Sequence, residues 1–306
     1  MSFTRDIADY PEGIVLAVDK PYRWTSADVI RKLKYAAIRH FGKKNLKVGH
    51  AGTLDPLATG VLLVCIGNAC KRAQELQDHD KEYIARIRFG ATTPSYDLEK
   101  EVDRRFPYEH ITADAVRAAL PAFLGEQEQV APLFSAKSVD GVRAYELARK
   151  LYKAGNTAAI DAAALETLHR SRITIGELEL LEYTAGTDIP ESSLRDPSHS
   201  QRSSSGSGPL PLMRPRVATD SGTSVPAEKT ASSRINVADT AGLGLPEATI
   251  RIACSKGTYI RAFARDLGEV LGSGAHLSGL IRSRSGAFTI DKALSVEEAL
   301  ALLQAE

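Results

Sequence analysis

Residues 49 to 60 read Gly-His-Ala-Gly-Thr-Leu-Asp-Pro-Leu-Ala-Thr-Gly and place one carboxylate, Asp55, between a glycine turn and a proline. Three glycines in twelve residues permit tight turns and positive φ angles, so the backbone can approach a ligand closely, as in an active-site loop. A second interpretation uses the same residues. Asp55 followed by Pro56 is also a common helix start, in which the carboxylate caps free backbone N–H groups. The spacing alone leaves both interpretations open.

The whole twelve-residue string resembles the motif II loop of the TruB family of tRNA pseudouridine synthases, with Asp55 at the position of that family's nucleophile. The resemblance covers roughly residues 13 to 183 and 247 to 290. It implies an α+β pseudouridine synthase fold, in which a large mixed, mainly antiparallel sheet is flanked by helices and crossed by an RNA-binding cleft. The further matching stretches are Asp19-Lys20-Pro21, Lys81-Glu82-Tyr83, Ser135-Ala136-Lys137 with Gly141 and Tyr145, and Cys254-Ser255-Lys256-Gly257-Thr258-Tyr259-Ile260-Arg261.

The same resemblance implies a reaction. It is the conversion of uridine 55 in the T loop of tRNA to pseudouridine, after the target base has been flipped out of the RNA. The reaction breaks the glycosidic bond and rejoins the uracil through carbon 5 without a redox step, so no cofactor is expected. An ionised Asp55 could attack the sugar or the ring, or act as the base that forms a glycal, and the sequence does not choose among these routes. The alternatives are a non-catalytic RNA-binding or tRNA-folding protein and a pseudouridine synthase that acts on other RNAs.

Candidate site residues follow from matching the family's motifs position by position. Tyr83 matches the tyrosine that stacks on the target base, and Arg261 matches the arginine expected to hold a buried Asp55 in its charged form. His50 matches the histidine that fills the space left by the flipped base, and Leu280 matches the apolar residue packed under it. The other candidates for RNA binding are Lys256, Tyr259, Arg282 and Lys20, the last in a structural or electrostatic role.

The bulk composition is that of an ordinary globular protein. The 306 residues are 43% hydrophobic and 25% charged, which suffices for a sizeable core. No signal peptide and no apolar run of about 18 residues is recognisable, so the sequence predicts a cytoplasmic protein that does not bind a membrane. The three cysteines are odd in number and lack metal-ligand spacing, so we expect neither a disulfide framework nor a metal site.

Basic residues dominate the stretch just before the glycine loop. Between Val29 and His50 there are seven basic residues and no acidic one. A charge run is usually a solvated helix face, but charge of a single sign beside a candidate site favours phosphate binding. The seven residues are Arg31, Lys32, Lys34, Arg39, Lys43, Lys44 and Lys47.

Hydrophobic spacing and capping signals predict the secondary structure. Residues 135 to 155 are rich in basic side chains and resemble the family's thumb that closes on RNA, although an ordinary surface helix would have the same pattern. Strands are expected near 13–18, 61–66, 81–89, 249–254 and 287–290, and helices near 26–41, 112–124, 144–152, from 260 onward and 296–303.

One stretch differs in composition from the rest of the chain. Residues 186 to 248 contain 12 serines and seven of the 14 prolines, and no aromatic residue occurs between Tyr183 and Tyr259. Such a segment cannot bury enough apolar surface to offset the entropy of ordering it. We therefore expect a catalytic domain in two parts, 1–183 and 249–306, around a disordered insertion at 184–248. No separate C-terminal RNA-binding domain is expected, and the protein should act on tRNA as a monomer without an obligate protein partner.

Overall fold

The computed structural model describes residues 3–135, 137–139, 142–168, 170–187 and 235–304. The helices are α1 (Ser26–Phe41), α2 (Ala73–Asp78), α3 (Ala113–Ala119), α4 (Ala144–Lys153), α5 (Ala158–Thr167), α6 (Ile260–Val270) and α7 (Val296–Leu302). The strands are β1 (Ile14–Lys20), β2 (Val48–Ala51), β3 (Ala58–Ile66), β4 (Lys81–Phe89), β5 (Ala91–Thr92), β6 (Arg104–Arg105), β7 (Gly125–Gln129), β8 (Ser138–Val139), β9 (Val142–Arg143), β10 (Ser171–Thr184), β11 (Glu247–Cys254), β12 (Ala275–Ser285) and β13 (Phe288–Thr289).

Most strands of the described residues belong to one mixed sheet. Its main path runs β1-β3-β12-β4-β11-β10-β7, with β2 paired to β3 and β13 paired to β12. The pairing is antiparallel throughout except between β3 and β12, which run parallel. The expected mixed, mainly antiparallel fold with flanking helices is therefore confirmed. Among the described residues, no helix has the length and apolar character needed to cross a membrane.

Local signals explain why α1 and β4 form where they were predicted. The Thr25 side chain accepts a hydrogen bond from the backbone N–H of Asp28, and the Asp28 carboxylate accepts one from the backbone N–H of Thr25. This capping box starts α1, and Gly42 ends it at a φ of 61°. Alternate residues of β4 are buried, so its inner face packs on the main core with α1 and α6.

A second hydrophobic cluster lies apart from the main core. It joins residues 130–134 to buried positions of α4 and α5, among them Ala148 and Ile160, and Tyr259 packs against its edge. Helix α4 lies in the predicted thumb stretch and matches its predicted helical part, whereas α5 was not predicted. Residues 136, 140 and 141 of that stretch lie outside the described residues.

Near the site, one of the two interpretations of Asp55 is ruled out and one predicted strand position was wrong. Asp55 and Pro56 do not start a helix, because the chain turns and enters β3 at Ala58. The stretch from Gly274 to Arg284 was expected only to lead into a strand near 287–290, but it forms the long central strand β12. Polar residues and a register shift between Leu277 and Gly279 interrupt the alternation that would have revealed it. In addition, Pro121 replaces the end of the predicted 112–124 helix by a 3-10 turn.

The predicted boundaries of the insertion also need correction. Thr184 lies in β10, and β11 begins at Glu247 rather than 249. Before β11, Ala238 and Thr240 are almost completely buried, at 3% and 2% exposure. The packed structure therefore includes residues at both ends of the segment predicted as the insertion, within its predicted bounds. Its central part, residues 188–234, lies outside the described residues.

Candidate active site

The glycine loop is held in place by the start of α1. The backbone N–H of Leu54 donates to Ser26 Oγ at 3.0 Å, and Ser26 Oγ donates to the Leu54 carbonyl at 3.2 Å. Gly52 adopts a φ of 88°, a conformation that favours glycine. Ala58 N–H then donates to the Asp55 carbonyl and closes the turn into β3. The Asp55 side chain is left 39% exposed at the wall of a cleft.

Arg261 pairs with Asp55 from the first turn of α6. Its Nη2 donates to Asp55 Oδ1 at 3.1 Å, and its Nε lies 2.9 Å from Oδ2. The side chain is only 5% exposed. Burial opposes its charge, but the carboxylates of Asp55 and Asp97 outweigh that effect and raise the pKa of Arg261. A cation near a helix N-terminus is unfavourable unless an anion lies close to it, and for Arg261 that anion is Asp55.

The structure adds a second carboxylate, Asp97, which the sequence analysis missed. Asp97 Oδ2 lies 3.8 Å from Arg261 Nε, and Arg261 Nη1 donates to the Ser95 carbonyl at 3.1 Å. Burial raises the pKa of Asp97 to about 6, although Arg261 opposes the shift. Asp97 lies in a Pro94-Ser95 loop whose composition is typical of a surface turn, so no local signal identified it.

Most of the predicted site residues meet in one place. In the described part of the chain, a cleft of about 340 Å³ lies between the glycine loop, β4, β12 and the start of α6. Lys81 and Lys137 also line it, which adds positive charge at its wall. Six of the nine predicted residues line this cleft: Asp55, Tyr83, Tyr259, Arg261, Leu280 and Arg282.

Tyr83 lies on the inner face of β4, as the strand alternation predicts. Its side chain lines the cleft but is largely buried, with 8% of the residue exposed. Burial raises the pKa of the Tyr83 hydroxyl, and Arg282 opposes that shift. The hydroxyl therefore keeps its proton at neutral pH and remains a hydrogen-bond donor.

Lys20 does not contact solvent and cannot bind RNA directly in this structure. It is 0% exposed, and its Nζ donates to the carbonyls of Pro21, Trp24 and Pro56 at 2.9, 2.6 and 3.2 Å. Burial lowers the pKa of Lys20 to about 7, with Asp55 opposing the shift. Its structural and electrostatic role is supported, because it joins the turn after Asp55 to the end of β1.

Arg282 has a similar supporting position. It is 1% exposed, and it donates from Nε to the Val61 carbonyl at 2.7 Å and from Nη2 to the Gly52 carbonyl at 3.0 Å. These bonds hold both ends of the Asp55 loop against β12. Because Nε and Nη2 bind the protein backbone, the structure supports a role for Arg282 in holding the loop, and its direct contact with RNA stays a prediction.

His50 and Lys256 lie outside the lining of the cleft. His50 is half-buried on β2, and burial lowers its pKa, so the ring is neutral at pH 7. Its Nδ1 is buried and has no hydrogen-bond partner among the described residues. Lys256 is exposed and pairs with Asp78 at 3.0 Å. The contacts of His50 and Lys256 with RNA stay predictions.

The sequence has close relatives with a common name. Residues 39–186 match the family described as TruB family pseudouridylate synthase, N-terminal domain. The tRNA pseudouridine synthase B of Phocaeicola vulgatus is 44% identical, covering 94% of this chain and 92% of its own length. The proteins of the same name from Flavobacterium johnsoniae and Thermus thermophilus are 37% and 36% identical and are covered over 95% and 76% of their lengths.

Solved structures share the fold at lower identity. The H/ACA RNP bound to a substrate RNA containing 2'-deoxyuridine includes a chain that matches 98% of this one with a TM-score of 0.52 and 19% identity. A Cbf5-Nop10-Gar1 complex gives a TM-score of 0.54, 21% identity and 96% coverage. This chain spans 57% and 55% of the lengths of those two solved chains. The likeness therefore establishes the fold.

Proposed function

This chain belongs to the TruB family of pseudouridylate synthases, and we propose that it converts uridine 55 in the T loop of tRNA to pseudouridine. Tyr83 lines the same cleft as Asp55 and Arg261. The relatives named above are tRNA pseudouridine synthases by name, which supports tRNA as the substrate. The observation that carries the proposal is the ion pair of Asp55 and Arg261 at the wall of that cleft.

The catalytic part of the proposal assigns the bond changes to Asp55. The bond between uracil N1 and ribose C1' breaks, and a bond from uracil C5 to C1' forms. The proton on C5 is lost, and N1 gains one. Asp55 serves as nucleophile at the sugar or the ring, or as the base that forms a glycal, and each route requires its ionised carboxylate. Arg261 holds that carboxylate by approaching both oxygens, a contact that a lysine could not reproduce.

Base flipping belongs to the same proposal. Removing the uridine from the RNA stack costs on the order of a few kcal/mol, which contacts inside the cleft must offset. Tyr83 provides an aromatic face and Leu280 an apolar surface at the lining of the cleft, beside Asp55. The neutral ring of His50 is suited to stacking in the gap left in the RNA loop.

The T stem-loop requires surfaces that neutralise its phosphates. The exposed basic side chains of α1 and of the loop after it precede the catalytic loop in the chain, and α4 carries exposed basic residues including Arg149 and Lys150. We propose that these surfaces bind the RNA backbone. The proposal also includes cytoplasmic action, because tRNA is the substrate, and action as a single chain without a guide RNA or protein partner.

The test is site-resolved pseudouridine mapping on an unmodified tRNA transcript incubated with the purified protein alone. We expect one new pseudouridine, at the T-loop uridine. A transcript with cytidine in its place is the control and should give no product elsewhere. Product at other uridines would favour a synthase with other RNA targets, and tight binding without product would favour the non-catalytic alternative.

A further inference from the structure

The loop that carries Asp97 contacts Arg261 through two residues, Ser95 and Asp97, and Tyr96 lies between them in the chain. The Ser95 carbonyl accepts a hydrogen bond from Arg261 Nη1 at 3.1 Å, and Asp97 Oδ2 lies 3.8 Å from Arg261 Nε. Both neighbours of Tyr96 in the chain therefore touch the guanidinium that pairs with Asp55. A shift of the Tyr96 backbone would displace both contacts together.

Tyr96 adopts a backbone conformation that is uncommon for a tyrosine. Its φ is 57°, in the left-handed region, and such a conformation persists when surrounding contacts fix it. Its N–H donates to the Thr93 carbonyl at 3.0 Å, and its carbonyl accepts from the Leu277 N–H at 3.0 Å. The Arg265 guanidinium lies 5.7 Å from the ring centroid. The residue is only 3% exposed.

The Tyr96 hydroxyl reaches a different part of the fold. It donates to Asp161 Oδ1 on α5 at 2.8 Å. The other oxygen of the same carboxylate, Oδ2, lies 2.7 Å from Arg104 Nη2. Burial and the nearby Asp161 raise the pKa of the Tyr96 hydroxyl, which therefore stays protonated and acts as the donor. Asp161 thus joins α5 to the loop behind Arg261.

Helix α5 packs against neighbouring elements. It packs with α4 and residues 130–134 in the second hydrophobic cluster, through Ile160 and Ala164. Tyr259, two residues before Arg261, packs against that cluster. It also exchanges two backbone hydrogen bonds with the Gln129 side chain, at 2.8 and 3.2 Å. The cluster therefore contacts the surroundings of Arg261 from two directions.

We propose that Tyr96 is a positioning residue for Arg261, and that its bond to Asp161 couples the seating of the α4–α5 unit on RNA to the geometry of the Arg261–Asp55 pair. The proposal rests on the proposed function. Tyr96 is not among the described residues that line the cleft, and its two chain neighbours contact Arg261, so its effect passes through Ser95, Asp97 and Arg261. When α5 is in place, the hydroxyl fixes the loop, and the loop fixes the guanidinium.

The test is the Tyr96→Phe variant, which removes one hydroxyl and keeps the buried ring. We expect about a 10-fold lower single-turnover rate at saturating tRNA, because small misplacement of a catalytic group slows reaction without weakening binding. The dissociation constant for tRNA should change less than about twofold. Tyr183→Phe is the matched control, because its hydroxyl donates to the Ile111 carbonyl away from the cleft. That control should react at the wild-type rate.

Asp161 variants test the same bond from its other end. Asp161→Ala should slow the reaction at least as much as Tyr96→Phe, because it also removes the ion pair with Arg104, and the double variant should be no slower than Asp161→Ala. Asp161→Asn retains an oxygen acceptor for the Tyr96 hydroxyl and should restore most of the rate.

Three outcomes would overturn the proposal. These are an unchanged rate in Tyr96→Phe, rate losses that multiply in the double variant, and parallel losses of rate, tRNA affinity and melting temperature, which would indicate a merely structural residue. Absence of pseudouridine from the wild-type protein would overturn the proposed function and this inference with it. Product from the wild type at a rate equal to that of Tyr96→Phe would overturn the inference alone.

Discussion

Arg261 is one cation held between two carboxylates in a largely buried site. Its guanidinium contacts Asp55 on one side and approaches Asp97 on the other. If both carboxylates were ionised, the group would carry a net negative charge with little solvent to stabilise it. The raised pKa of Asp97, about 6, is the expected response, because protonation of the more deeply buried carboxyl relieves that charge. Asp55, the more exposed of the two, remains at the cleft.

Asp97 should make folding stability depend on pH in a predictable direction. The ordinary pKa of an aspartate carboxyl, 3.8, applies to the unfolded chain, and the pKa of Asp97 is about 6 in the folded protein, so the folded state binds more protons between those values. Its contribution to stability is therefore full below pH 4 and is lost as the pH rises through 6. The shift corresponds to roughly 3 kcal/mol. Relative to the wild type, Asp97→Asn should gain roughly this free energy of unfolding between pH 4 and 7.

Denaturant titration of both proteins across that range measures the difference directly. Glu109→Gln is a suitable control, because Glu109 is an exposed acid that accepts a hydrogen bond from the backbone N–H of Tyr108, and its titration lies at lower pH. Stability curves for the wild type and Asp97→Asn that stay parallel from pH 4 to 7 would contradict the assignment.

At the residue scale, sequence reasoning succeeded where one short motif contains the information. Asp55 and Arg261 were identified from their own neighbourhoods, and the structure brings them into contact across 206 positions of sequence separation. Asp97 shows what such reasoning misses. Its role comes from burial by distant segments, and a lone aspartate in a turn carries no local sign of that burial.

Helix α1 and the loop that follows it form the basic element of the molecule. Lys34, Lys44 and Lys47 line a shallow groove beside Val48 and Gly49, which lead directly to His50. None of the described residues that line the groove is acidic. The single-sign charge predicted from sequence is therefore displayed on an exposed surface. This arrangement favours the binding of RNA phosphates.

Charge reversal at two of these lysines tests the phosphate contacts. Lys44→Glu/Lys47→Glu should weaken tRNA binding at least about tenfold at 0.1 M salt and reduce the slope of log affinity against log salt by roughly 1.5. The matched control is Arg117→Glu/Lys292→Glu, which reverses two exposed charges on other elements. Binding and slope equal to those of the control would rule out the basic groove as an RNA contact.

A helix or strand was predictable where its apolar residues recur at the regular spacing of that element. Strand β4 alternates strictly, and α1 carries a capping box and a terminal glycine, so both were predicted with their observed bounds. Strand β12 was missed although it is central, because arginines and serines occupy positions where a buried strand usually has apolar residues. Two of those polar residues make hydrogen bonds within the protein. Arg282 donates to carbonyls at both ends of the glycine loop, and Ser278 donates to the Glu247 carboxylate.

For the whole molecule, the insertion separates two halves of one sheet. Strand β10 ends before it and β11 begins after it, and the two strands pair directly. The residues just before β11 are part of the packed structure. Arg23 Nη2 donates to the Ile235 carbonyl at 2.6 Å, and the Ala238 N–H donates to the Leu98 carbonyl at 2.8 Å. Composition marked the segment as unusual, but it gave no sign that the packed structure includes residues as far before β11 as Ile235 and Ala238.

Deletion variants should distinguish these two parts. Replacing residues 188–234 by a Gly/Ser linker of about 20 residues should leave melting temperature and turnover nearly unchanged, because the serine- and proline-rich sequence cannot build a core. Replacing 188–240 by the same linker is the comparison. It also removes Ala238 and Thr240, and the Arg88 bond to Thr240, so it should lower the melting temperature. A large loss of either property in the shorter deletion would show that the segment packs or binds RNA.

The central claim is that Asp55 performs the chemistry, and one comparison tests it most directly. Asp55→Asn has the same shape and can still accept a hydrogen bond from Arg261, so we expect tRNA affinity within about threefold of the wild type. Its single-turnover formation of pseudouridine at the T-loop uridine should fall by at least about 1000-fold, because an amide is neither a base nor a nucleophile. Site-resolved mapping with both proteins at matched tRNA occupancy gives the answer. Product only from the wild type is the predicted result, and product from Asp55→Asn at the wild-type rate would contradict the account.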